Sequence, residues 1–353
     1  RGRAFLYTAA HNYHTTYLNQ LLIHAQRPDA AACASMEYWN TKANRLVMRG
    51  SRSITVLQRR QGVAVTKPVF AIGDTTLLSQ MRTGGPWEVT DTTRPLLLQD
   101  KSDDWLTALA QDGVSNDADR ARRMLERNVA DSTLQWAQPD EQMQLLQALV
   151  TQSAVYMALL RIGLPVLDED FPSFKSVSQF DTYQISLCLG GYLQAAAEPM
   201  LDAIGREALR LNRDNIAILH EPVHNESTPT QLNSQRRPLL MTYTKNREGY
   251  LIPILSLPNQ PNPYLNRYAR LRLEYLEQNE PTLCDQLMLE GTLLTSCNRI
   301  GRTAQQMVDK TLRELMQTTP MPDRRTNPLG WTQMANSLKK QAEETILPIL
   351  YEV

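Results

Sequence analysis

The sequence predicts an α+β protein of several domains: a small N-terminal α/β-sheet domain, a largely helical middle and a C-terminal helical bundle. Three observations predict it. Apolar, partly β-branched runs bounded by turn residues are concentrated between Arg45 and Thr75. From Trp105 onward apolar residues recur mostly at intervals of three and four, the helical period. At 353 residues, the chain is too long for one ordinary core.

Taken in order, Phe5, Leu6, Ala9, Tyr13, Tyr17, Leu18, Leu21, Leu22 and Ala25 predict one striped helix ended by Pro28. A short helix follows, with Ser35 as its cap and Trp39 as its core anchor. RLVMRG and SRSITVLQRR predict strands around a turn at Gly50-Ser51. VAVTKPVFAI adds another, with Pro68 suited to an edge, and Asp74-Thr75-Thr76 closes the unit. Gly84-Gly85-Pro86 marks a loop.

The run ending at Leu164 is the clearest helix, stopped by Gly163 and Pro165, and Phe171 to Phe180 is a connection with aromatic anchors. The stretch beginning at Tyr183 predicts two helical pieces, broken near Gly190-Gly191 or Pro199. Residues 213–237 are polar and predict a linker, after which two apolar runs flanking Lys245 to Gly249 predict a hairpin. The remainder is helical, punctuated by Pro281, Gly291 and Asn327-Pro328, with Trp331, Met334, Leu338 and Ile346 packing the last helix. The expected domains are 1–98, 99–212 and 238–353, with 213–237 between the last two.

Lysine plus arginine and aspartate plus glutamate each number 37, so the molecule is not basic as a whole. The charge is nevertheless uneven. Over residues 1–70 ten cations (Arg1, Arg3, Arg27, Lys42, Arg45, Arg49, Arg52, Arg59, Arg60, Lys67) face two anions, Asp29 and Glu37. Such a distribution excludes a protein that coats nucleic acid over its whole surface and leaves a local binding face. Cys33, Cys188, Cys284 and Cys297 form no C-x-x-C unit, so they read as reduced thiols in a cytoplasmic protein. No signal peptide or apolar run of about 18 residues is evident, and no membrane partner is expected. The chain starts at Arg1, as a trimmed or excised polypeptide would.

No nucleotide-binding glycine motif or local nucleophile motif is present, and neither enzymatic activity nor a cofactor is expected. His11-x-x-His14 lacks a supporting carboxylate. His220 and His224 in H-E-P-V-H match the outline of a zinc hydrolase motif, but Pro222 opposes the helix that motif requires. A metal-dependent hydrolase at this pair is the weakest reading. Asp168, Glu169 and Asp170 form an acidic cluster that reads as a loop or helix cap.

The basic unit carries more. Lys42, Arg45, Arg49, Arg52, Arg59 and Arg60 would flank or lie on a twisted sheet, where guanidinium groups fit phosphate oxygens. Tyr13, Tyr17 and Tyr38 supply candidate stacking rings for unpaired bases, and Trp39 is read as scaffold.

Asn19-Gln20-Leu21-Leu22, Gln26-Arg27-Pro28, Trp39, Arg45, Arg49-Gly50, Ile54, Val69-Phe70 and Asp74-Thr75 form a pattern. With it, residues 1–76 resemble the N-terminal domain of ArdC-type antirestriction proteins and its relatives in large proteins of conjugative elements. That resemblance implies single-stranded DNA binding. The zinc-peptidase half of such proteins has no counterpart here. Residues 240–353, through YLNRYARLRLEYLEQNEPTLCDQLMLEGTL, MVDKTLRELM and WTQMANSLKKQAEETILPILYEV, resemble TnpV, a transposon-encoded protein. The combined expectation is a sequence-independent single-stranded DNA-binding protein of a bacterial mobile element, protecting or positioning DNA during transfer or transposition. Duplex DNA and RNA remain open as partners, as does a protein of a transfer, transposition or host-defence complex. The main alternative is an antirestriction protein that inhibits a host nuclease complex.

Overall fold

The computed structural model describes residues 2–60, 63–78, 86–167, 170–218, 241–246, 248–255, 261 and 263–351. His220 and His224, Gly84-Gly85, Asp168-Glu169, Arg247, and all of the expected linker beyond Ile218 lie outside them. The protein is an α+β mix with small sheets of two or three strands and a largely helical C-terminal region. It divides into two compact units. The first is residues 1–57 and 66–255; the second is 58–65 and 256–353.

The first unit opens with two helices where one is expected: α1 (Gly2–His11) and α2 (Tyr17–Gln26). The break comes from polar residues that bond the backbone instead of continuing the helix. Thr16 caps α2 by accepting from Asn19 N–H, and the Thr15 hydroxyl donates to the Asn12 carbonyl at 2.8 Å. The cap at Ser35 forms as expected, opening α3 (Met36–Thr41) by accepting from Tyr38 N–H. Trp39 is buried and donates from Nε1 to the Phe70 carbonyl at 2.9 Å.

The strands are β1 (Cys33–Ala34), β2 (Arg45–Val47), β3 (Ile54–Arg60), β4 (Val63–Ala71) and β5 (Thr75–Leu77). Their pairing departs from a simple hairpin around Gly50. β1, β4 and β3 form one sheet in that order, and β2 pairs antiparallel with β5 in another. Of the expected close at Asp74-Thr75-Thr76, Asp74 ends a 3-10 turn at Ile72–Asp74, and Thr75 and Thr76 belong to β5. Pro68 is suited to an edge, yet β4 is the middle strand of its sheet; β1 pairs with β4 at Phe70 and Ala71, so the β1 ladder does not reach Pro68.

Period-two alternation sorts the sheet residues. Ile54, Val56, Val69 and Ala71 pack with Ile23 of α2. Phe70 instead packs with Trp39, Val47 and Tyr250. Tyr250 comes from a hairpin of β6 (Tyr243–Lys245) and β7 (Leu251–Pro253), whose strands pair as expected. The hairpin joins the first unit's backbone network: Ser53 N–H donates to the Leu251 carbonyl and Leu251 N–H to the Ser51 carbonyl.

The rest of this unit is helical: α4 (Arg94–Leu98), α5 (Trp105–Asn116), α6 (Ala118–Asn128), α7 (Pro139–Ile162) and α8 (Tyr183–Ile218). Gly163 ends α7 in the left-handed conformation (φ 76°). α7 is long and apolar enough to cross a membrane by length and composition, yet half of that stretch is buried, and it packs on α1, α5 and α8 as a core helix does. α8 runs unbroken where two pieces are expected. Gly190 is a contact point on its surface: a Cβ there would lie 2.2 Å from the Tyr17 ring. Pro199 sits inside the helix. Its ring removes the bond to the Ala195 carbonyl and crowds that carbonyl, yet the helix continues past it, packed against α5 and α7.

The second unit contains α9 (Arg267–Asn279), α10 (Pro281–Leu289), α11 (Leu293–Thr318), α12 (Pro328–Glu344) and α13 (Leu347–Tyr351). Pro281, Gly291 and Asn327 punctuate it as expected, while the last predicted helix divides between α12 and α13. Tyr268, Ala304, Val308, Ala342, Ile346 and Leu350 form its core. Leu338 is buried as well, whereas Trp331 is half-buried beneath Arg324. α9 and α11 cross closely at Gly301, where a Cβ would lie 2.5 Å from the Ala269 nitrogen.

Candidate nucleic-acid interface

The N-terminal motif is built around one structural problem. β3 is the last strand of its sheet, and an outer strand leaves backbone groups without ladder partners. Two side-chain amides on α2 fill part of that role. Asn19 donates from Nδ2 to the Leu57 carbonyl at 2.9 Å and accepts from Leu57 N–H at 2.8 Å. Gln26 does the same for Thr55, at 2.7 and 2.8 Å. Seven residues apart on a helix is about two turns, so both amides face β3.

Other residues of the pattern also serve the fold. Arg27 donates from Nη1 to Asp74 at 2.6 Å. Gln20 donates to the Thr15 carbonyl at 3.0 Å. Arg45 donates from Nε to the Thr75 hydroxyl at 2.6 Å, and that hydroxyl donates to the Ile72 carbonyl.

This separates the predicted contacts into groups. Lys42, Arg49 and Arg60 are exposed and form no ion pair with a described residue. Arg49 occupies the turn that joins β2 to β3, where Gly50 takes φ 83°. Arg52 is exposed nearby, its guanidinium 5.5 Å from the centre of the Tyr243 ring. Arg45 is half-buried and tied to Thr75. Arg49 and Arg52 precede β3, whereas Arg59 and Arg60 end it. Arg59 belongs to the second unit, where its Nε lies 3.9 Å from Asp285 and its Nη1 is buried with no hydrogen-bond partner. It is a structural cation.

The two tyrosines lie in the packed part of the first unit. Tyr13 is buried; its hydroxyl donates to Asp202 at 2.9 Å and accepts from Trp87 Nε1 at 2.9 Å. Tyr17 is half-buried against Gly190 and packs edge-on with Phe5. Burial pushes both phenols up to about 12. Neither ring offers a face for base stacking. The aromatic groups beside the exposed cations are Tyr38, 39% exposed and one turn before Lys42, and Tyr243 beneath Arg52. Tyr38 is among the rings the sequence offers for stacking, whereas Tyr243 is not, because 191 residues separate it from Arg52.

The four cysteines are free thiols. Burial pushes Cys33 and Cys188 up to about 12 and Cys284 and Cys297 up to about 11, which keeps them protonated. His11 bonds through Nδ1 to the Tyr7 carbonyl, while His14 lies 3.3 Å from Glu198 and 3.6 Å from Asp202.

The family model for the transposon-encoded protein TnpV matches residues 242–350. The match begins in the β6–β7 hairpin of the first unit and extends through the second. It associates this part of the chain with transposons. No curated protein and no solved structure matches the chain.

Proposed function

We propose that the chain binds single-stranded nucleic acid for a transposon, without reading its sequence. Lys42, Arg49 and Arg52 are the principal phosphate contacts, with Tyr38 and Tyr243 as the rings nearest them. The observation that carries this reading is the set of exposed cations around the β2–β3 turn, which the fold leaves without carboxylate partners among the described residues. Arginines placed in this way fit phosphate oxygens and give charge-driven affinity. The role is binding and positioning rather than catalysis. The match to TnpV supports the transposon setting, and the ArdC-like pattern of residues 1–76 supports the preference for a single strand.

The test is fluorescence anisotropy with labelled single-stranded DNA, duplex DNA and RNA across a salt series. The variant is Lys42→Glu/Arg49→Glu/Arg52→Glu, which leaves the Arg45–Thr75 tie intact. Binding should weaken steeply with salt. Loss of three phosphate contacts should flatten the log–log slope by about 2, at roughly 0.7 per contact for single strands. A flat salt response in the parent protein, or full affinity in a folded variant, overturns the assignment.

A further inference from the structure

The first unit contains a cavity of about 420 Å³ that neither the basic turn nor the family match accounts for. Its walls include the turn after α1, Tyr38, Trp87, Arg161 on α7, and Asp202 and Arg206 on α8. The volume lies within the range of small-molecule sites.

Arg161 indicates the charge of a ligand that would fit. Its guanidinium lies 3.9 Å from the centre of the Trp87 ring, and Nη2 donates to the Trp87 carbonyl at 2.6 Å. Its Nε is buried with no hydrogen-bond partner. No described carboxylate lies within ion-pair distance of Arg161 or of the exposed Arg206. A half-buried cation whose carboxylate neighbour, Glu88, acts only from beyond ion-pair distance leaves room for a closer anion. The opposite requirement is met by Asp202. Its Oδ1 accepts from Tyr13 and lies near His14, while Oδ2 makes no hydrogen bond to a described residue. An acceptor of this kind suits the N–H edge of a flat heterocycle, and the Trp87 indole and Tyr38 phenol in the walls supply apolar surface for its faces.

We infer that this cavity takes a nucleoside 5′-monophosphate, with the phosphate at Arg161 and Arg206 and the base edge at Asp202. The inference does not rest on the basic turn, because none of Lys42, Arg49 and Arg52 lines the cavity.

The experiment is calorimetric titration of the full chain with the four deoxynucleoside 5′-monophosphates. Inorganic phosphate and the free deoxynucleosides are separate arms, and Trp fluorescence provides a second readout. At least one monophosphate should bind about tenfold more tightly than inorganic phosphate and than its own nucleoside, since both ends of the ligand contribute. Leu209→Trp, at a partly exposed position of the wall, should block binding by filling the space. Arg161→Gln should weaken the monophosphate about tenfold and leave the free nucleoside unchanged. Circular dichroism establishes that each variant is folded. Absence of monophosphate binding, equal binding of inorganic phosphate, or undiminished binding by a folded Leu209→Trp protein overturns the assignment. Monophosphate binding without oligonucleotide binding sinks the proposed function and leaves the cavity standing; the reverse result sinks the cavity alone.

Discussion

Asn19 and Gln26 show how a polar motif can belong to the fold instead of to the ligand. Each amide both donates to and accepts from one residue of β3, so truncation removes two hydrogen bonds and leaves β3 groups unmatched. Asn19→Ala and Gln26→Ala should each cost about 1–3 kcal/mol, read from urea denaturation. Oligonucleotide affinity of the folded protein should stay within about twofold, because neither amide is a proposed phosphate contact. Unchanged stability in both variants would show that solvent replaces the bracket without loss. His11 gives a second prediction at this scale. Burial, with Arg161 adding to it, pushes its imidazole down to about 4. Its usual value is about 6.5, so between those values the unfolded chain holds a proton that the folded chain does not, and stability falls as pH drops from about 6.5 toward 4. The contribution is about 3 kcal/mol at most. His11→Gln should flatten that part of the stability profile, measured by denaturation from pH 4 to 7; a parallel profile for the variant would refute it.

Among the elements, the break between α1 and α2 is local, set by Thr15 and Thr16, whereas the departures in strand pairing and in α8 were decided by neighbours distant in sequence. Ser35, Gly163, Pro281 and Asn327 acted as local signals and marked helix ends where expected. The β2–β5 pairing depends on residues some thirty positions apart, and nothing within SRSITVLQRR selects β4 over β2 as its partner. Gly190 and Pro199 carry helix-breaking character locally, but α8 is held by packing that the local pattern does not reveal. Gly190→Ala tests this directly. Its methyl would meet the Tyr17 ring, so it should destabilise by about 1–3 kcal/mol despite alanine's better helix propensity. Combining it with Tyr17→Leu should show a coupling of about 1 kcal/mol or more. Stabilisation by Gly190→Ala alone would mean that propensity outweighs the contact. The candidate interface was legible to the same degree. Lys42, Arg49 and Arg52 stood out as a local excess of charge. Arg59 was drawn into the second unit by Asp285, and the tyrosines by apolar packing, for reasons that lie far along the chain.

For the whole molecule, sequence order and the compact units do not coincide. Residues 58–60 at the end of β3 and 63–65 at the start of β4 belong with the C-terminal helices, while the hairpin at the start of the TnpV match belongs with the N-terminal unit. The second unit therefore draws a cation from outside its own stretch. Arg59 faces Asp285, only 8% exposed, and the Cys284 thiol is fully buried beside them. Without Arg59, Asp285 would keep its burial and lose this partner, a loss that weakens folding even when the intact pair contributes little. A fragment of residues 256–353 should consequently unfold at lower temperature and with a broader transition than the same helices in the full chain. Arg59→Ala in the full chain should lower their stability by about 1–3 kcal/mol. Hydrogen exchange resolved by peptide is the suitable readout because it separates α9–α13 from α5–α8. Protection should fall in α9–α11 of Arg59→Ala and remain in α7 and α8. Equal protection of α9–α11 in the isolated fragment and the full chain would establish that the C-terminal helices fold independently of residues 58–65.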